Sequence, residues 1–187
     1  MQKREPYQEI SVADIYAVYG EALFWAQFME VGLRIFYDLE KALQAAPPGR
    51  LPKLDLDREP LSEINTVSLG GYVRKFRREV EQEGSLDEAM RQTIRQFERT
   101  ADERNWLIHT YWWERGPQLA SAGGRARAQT ELRRLTERFQ RNSKIIRQLV
   151  LACLAHYGLT PAQINSRRLD EYLREWGTEP ADTQKTV

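Results

Sequence analysis

Apolar residues recur along this chain at steps of three and four, which predicts helices rather than strands. The first helix reads over residues 12–46. Ser11 can cap it, with Asp14 three residues on. Ala22, Ala26, Met29, Leu33 and Phe36 form one seam, and Trp25, Phe28, Gly32, Ile35 and Leu39 a second beside it. A face that wide predicts a helix touching at least two neighbours. Gly20 is a candidate kink. Pro47-Pro48-Gly49 ends the helix. Residues 49–61 read as a loop pinned by Leu51, Leu54 and Leu56, and residues 62–68 as a short helical turn.

Val73, Phe76 and Val80 give the next amphipathic helix, from about residue 72 to 83, after the pair Gly70-Gly71. That pair lacks a P-loop lysine at the right spacing. Gly84 breaks the helix, and Ser85-Leu86-Asp87-Glu88 reads as a capping box for another. Ala89, Thr93, Ile94 and Phe97 line its inner face. A second box, Thr100-Ala101-Asp102-Glu103, predicts a fresh helix start, and Gly116-Pro117 a stop. Residues 117–124 read as a loop. A second long helix follows over residues 125–157. Its seam is Leu132, Leu135, Phe139, Asn142, Ile146, Leu149, Cys153 and His156. His156 is expected at the core edge with a hydrogen bond. Gly158 suits the C′ position, and Thr160-Pro161 opens a last helix over residues 161–175. The expected fold is all-α: an up-and-down bundle of about five helices, two of them long. It forms one domain over residues 1–176, with a disordered tail over 177–187.

Composition narrows the function. The chain has 187 residues and a net charge of +1, so any nucleic-acid surface is a local patch. Of the 28 basic residues, 22 are arginine, the residue suited to bidentate phosphate contacts; a coding bias also produces such a skew. Arg74, Lys75, Arg77 and Arg78 form the densest basic patch, either an RNA-backbone contact or a solvated face beside Glu79 and Glu81. Cys153 is the lone cysteine, so no intramolecular disulfide is expected and a reducing compartment is. No secretory leader and no membrane span is expected, which points to the cytoplasm. One Cys and two separated His give no metal-ligand cluster. No cofactor is expected.

The chemistry concentrates in residues 100–116, TADERNWLIHTYWWERG. Asn105 and His109 are four apart and share a helical face, and the long side chain of Arg104 reaches its edge. An imidazole serves as general acid or base, a guanidinium matches phosphate oxygens, and an amide orients either one. If a helix begins at Thr100, Arg104 lies in its first turn, where the backbone favours an anion. The bland alternative is a surface arginine with a packed or solvated histidine.

Arg104-Asn105-x-x-x-His109 resembles the R-x4-H motif of HEPN domains, with a polar residue after the arginine. Tyr111 extends the likeness to the R-x4-H-x-Y form of HepT-like toxins. HEPN domains are four- to five-helix bundles. The resemblance implies a metal-independent endoribonuclease with Arg104, Asn105 and His109 at a composite site shared by a homodimer. It also implies a possible toxin–antitoxin or phage-defence role. Tyr111 would be the acceptor for nucleotidylation by a separate nucleotidyltransferase antitoxin. Trp112 and Trp113 suit an interface or base stacking, with Trp113 at an interface or in the core and Tyr111 partly exposed. The long first helix and the 49–61 loop exceed a minimal toxin. The alternatives are a non-catalytic HEPN-like module that binds RNA, a nucleotide or a protein, and a structural protein docking through its Trp-rich helix.

Overall fold

The computed structural model describes residues 9–46, 68–82, 84, 87–164 and 166–174. The expected loop over 49–61, all but the last residue of the turn over 62–68, and the tail over 177–187 lie outside these. The described residues are all-helical, without a strand. The helices are α1 (Val12–Ala45), α2 (Leu69–Gln82), α3 (Glu88–His109), α4 (Tyr111–Arg115), α5 (Ala122–His156) and α6 (Arg167–Arg174). Short 3-10 turns span Gly116–Ala120 and Pro161–Gln163.

Local chemistry explains most boundaries. The Asp14 carboxylate accepts from the Ser11 backbone and hydroxyl, both at 2.8 Å, and these bonds hold its pKa below the ordinary value. The α1 helix passes through Gly20 without interruption. The Gly70-Gly71 pair falls inside the first turn of α2, so it forms no loop that could cradle phosphate. Asp87 caps α3, accepting from the Met90 N–H at 2.7 Å. Ser85 and Leu86 lie outside the described residues.

The box at Thr100 does not start a helix. The α3 helix runs unbroken through it, because no Gly or Pro between 88 and 109 interrupts the backbone ladder. The buried Thr100 hydroxyl donates instead to the Gln96 carbonyl at 2.7 Å. The break comes at Thr110, between α3 and α4. Ser121 then caps α5, its hydroxyl accepting from the Gly124 N–H at 3.0 Å, so the helix starts earlier than expected.

The chain divides into two compact units, with α1 and α5 running through both. The first comprises residues 1–30 and 69–143. Here α2 packs on α3 through Phe76 and Phe97, with ring centroids 6.0 Å apart. The α3 and α5 helices run antiparallel: Glu103 meets Arg138, and Thr100 meets Asn142. Tyr19 of α1 donates to the Leu107 carbonyl at 3.1 Å. The core collects Ile15, Ala22, Ala26, Met29, Val73, Phe97, Leu107, Leu132 and Phe139.

Asn142 is fully buried in that core. It donates to Thr100 at 2.6 Å and accepts from Gln96. Truncating it removes the acceptor of the Gln96 amide and one of the two bonds of the buried Thr100 hydroxyl, so Asn142→Ala is expected to destabilise by about 2 kcal/mol in urea unfolding. Thr100→Ala should add less in that background than alone, because the two share one interaction.

The second unit comprises residues 31–68 and 144–187. Its core is Leu33, Ile35, Leu39 and Leu43 of α1, Ile146, Val150 and Leu154 of α5, and Ile164, Leu169 and Tyr172. Gly32 lets the Tyr172 ring approach, since a Cβ there would lie 2.4 Å from its hydroxyl. The buried face of α5 shifts here from the expected Leu149 and Cys153 to Val150 and Leu154. A three-four alternation lags a straight helix by about 20° per heptad, so over some three heptads the inward position advances by more than half a residue, enough to pass to the next one. His156 is consequently exposed, with only an edge contact to Tyr157 at 5.1 Å, and is no core-edge residue. Cys153 is half-buried, which pushes its thiol up to about 11, with Glu40 adding to the effect. Gly158, at φ +68°, ends α5. The expected last helix is split: Thr160 and Gln163 cap only a 3-10 turn, Ile164 turns inward with extended backbone, and α6 restarts behind Ser166.

Candidate functional site

The motif occupies the last turn and a half of α3, in the first unit. His109 ends the helix. It is exposed and has no hydrogen-bond or ionic partner among the described residues. Asn105, one turn earlier, is also exposed. Arg104 is half-buried, and its Nη2 donates to Glu30 of α1 at 2.7 Å. Its Nη1 donates to the Asn105 side-chain oxygen at 3.2 Å. The guanidinium thus holds the amide oxygen, and the amide NH2 group has no partner among the described residues.

Two expectations change here. Arg104 is not in a first turn, so no helix N-terminus draws a phosphate to it. Its charge is also balanced by Glu30, a partner 74 residues away. Nothing in the local sequence announces that pair.

Tyr111 is not partly exposed as expected, and Trp113 is no core residue of this chain. Trp113 is 85% exposed, while Tyr111 is 0% exposed. The Thr110 break turns Tyr111 inward against Tyr19, Trp106 and Trp112, at centroid distances of 5.5, 5.2 and 5.3 Å. Its hydroxyl is buried without a hydrogen bond, and burial pushes its pKa up to about 12. An enzyme cannot reach that hydroxyl in this conformation, which corrects the expectation of Tyr111 as the nucleotidylation acceptor. Trp112 is half-buried on Tyr16 and Tyr19, both at 4.8 Å, within its own chain.

The basic face of α2 is partly spent. Arg74, Lys75, Arg77 and Arg78 are all exposed. Arg77 bonds Glu81 at 2.8 Å and Glu98 at 3.2 Å, and both raise its pKa. Lys75 lies 3.9 Å from Glu79. Only Arg74 and Arg78 of the four have no partner among the described residues.

A larger feature lies between α3 and α5 beside the motif: an open cleft of about 930 Å³. Its walls include Trp106, Arg115, Arg127, Glu131, Arg134 and Arg138. Arg115 grips Glu131 through two bonds, at 2.8 and 2.9 Å, and its guanidinium lies 5.2 Å from the Trp106 ring centre. Arg138 bonds Glu103 at 2.6 Å. The signal was present in the sequence, since 127, 131, 134 and 138 step by four, three and four along one face of α5. The apolar seam alone does not reveal it.

Among the described residues no helix is long and apolar enough to cross a membrane, and no group of three or more His, Cys, Asp or Glu could hold a metal ion. Comparison of the chain with protein-family models, curated proteins and solved structures finds no match.

Proposed function

We propose that this chain is a metal-independent endoribonuclease of the HEPN type, with His109 moving the proton. One observation carries this reading: an exposed imidazole, without a partner among the described residues, stands one turn from an exposed amide that an arginine holds in place. In the reaction, a base takes the proton of a ribose 2′-hydroxyl and the freed oxygen attacks the adjacent phosphorus. The bond to the 5′-oxygen breaks, and that oxygen leaves with a proton from an acid. The products are a 2′,3′-cyclic phosphate and a 5′-hydroxyl. One imidazole cannot readily fill both roles in one step, so the site is proposed to join two copies of His109 in a two-fold dimer. Asn105 would hold the ribose or a phosphate oxygen. Arg104 would position Asn105 and add positive charge beside the phosphate.

The Arg104–Glu30 pair favours a second reading, because it offsets the charge that phosphate chemistry uses. On that reading the chain is a non-catalytic RNA-binding module. RNA cleavage by purified protein in excess chelator separates the two. The wild type should cleave, and His109→Ala should lower the rate by about 10²–10⁴-fold. Equal rates would sink the assignment of His109. Absence of cleavage in both, with RNA still bound, would favour the binding module.

A further inference from the structure

We infer that the cleft between α3 and α5 is a track for single-stranded RNA, which rests on the nuclease reading in placing that strand against His109. The cleft residues named above, with Glu103, carry four arginines and two glutamates. Arg115 and Arg138 are matched to Glu131 and Glu103, so the excess positive charge belongs to Arg127 and Arg134. Both are exposed and have no partner among the described residues. They lie seven residues apart on α5, two turns and about 10.5 Å along its axis. At that separation they address two anionic groups rather than grip one. The ligand therefore carries repeated negative charge.

The second requirement comes from Trp106. Its indole N–H donates to Glu114 at 3.0 Å, Tyr111 meets it edge-on and Arg115 lies over the ring, so its plane is fixed. A half-buried indole in a cleft wall, overlaid by a guanidinium that Glu131 holds, gives a cation–aromatic pair against which a planar group can stack. Repeated anions together with planar groups describe a nucleic acid. Its bases must be splayed out to stack, which selects a single strand over a duplex. Trp106 and His109 are three residues apart on α3, neighbours on the helix surface. A strand with a base on Trp106 thus runs past the imidazole.

The test is fluorescence anisotropy with a labelled, unstructured 12-nucleotide RNA. The parent protein carries His109→Ala, so that nothing is cut. Adding Arg127→Ala and Arg134→Ala removes two unpartnered side chains and spares the fold. Affinity should fall about tenfold at about 0.15 M salt, and the slope of log Kd against log salt should drop by about 1.4, at about 0.7 per phosphate contact. Trp106→Leu should weaken binding by about tenfold with the slope unchanged, because stacking carries no counterion release. The inference is overturned if the Arg127/Arg134 variant binds like its parent, or if no RNA binds. It is also overturned if an RNA duplex or polyglutamate displaces the probe as well as the single strand does. Cleft-dependent binding without cleavage by the wild type would keep the cleft and sink the catalytic reading. Cleavage that ignores Arg127 and Arg134 would do the reverse.

Discussion

Gly124→Ala is expected to destabilise the protein by about 3 kcal/mol or more, an overpacking cost at its upper range. A Cβ at this position would lie 1.7 Å from the Gln118 carbonyl oxygen and 2.6 Å from its carbon. Both atoms are backbone, so no rotamer change relieves the overlap. The carbonyl is not free to retreat either. It accepts from the Ser121 N–H at 3.3 Å, and Arg125 clamps the same turn by bonding the Leu119 carbonyl at 2.9 Å and the Ile10 carbonyl at 2.6 Å. The melting temperature of a chain this size should fall by about 6–12 °C. Gly20→Ala is the control. That glycine is helical and exposed with nothing within 4 Å, and alanine there should add up to about 1 kcal/mol. A Gly124→Ala protein as stable as the parent would refute the close approach of the 3-10 turn to α5.

Tyr111→Ala is expected to cost about 3–5 kcal/mol, because it empties the centre of the cluster formed with Tyr19, Trp106 and Trp112. Tyr111→Phe should be neutral or stabilise by up to about 1 kcal/mol, since it removes a buried hydroxyl that has no hydrogen bond. The two variants separate ring from hydroxyl in one set of urea unfolding curves. A pH series adds an independent check. The hydroxyl's pKa is raised from 10.0 to about 12, first by burial and then by Glu131. Between those values the unfolded tyrosine has lost its proton and the folded one keeps it. The stability contribution is therefore complete below pH 10 and declines as pH rises toward about 12, by on the order of 2–3 kcal/mol. Tyr111→Phe should flatten that decline. If it instead lowers stability sharply at pH 7, the hydroxyl has a partner and the packing described here is wrong. Cleavage should survive Tyr111→Phe, because the proton chemistry is assigned to His109.

The helices were legible because their cause is local. Three-four spacing of apolar residues, the Ser11–Asp14 cap, and Gly158 with its positive φ all act within a few residues of chain. The false start at Thr100 shows the limit of that reasoning. A capping box supplies hydrogen bonds to a helix end, but it does not create an end where the backbone ladder continues on both sides. Thr100 serves the core instead, and its partner Asn142 lies 42 residues on.

The sequence alone determined the helical class, the two long helices, and the juxtaposition of Arg104, Asn105 and His109 on one short stretch. These follow from covalent order and helical period. Tertiary structure decided what each side chain is free to do. It tied Arg104 to Glu30, turned Tyr111 inward and Trp113 outward, and paired Arg115 and Arg138 while leaving Arg127 and Arg134 open to solvent. Charge pairing and burial depend on residues brought together from distant parts of the chain, and no local pattern encodes which arginine meets a carboxylate and which meets water.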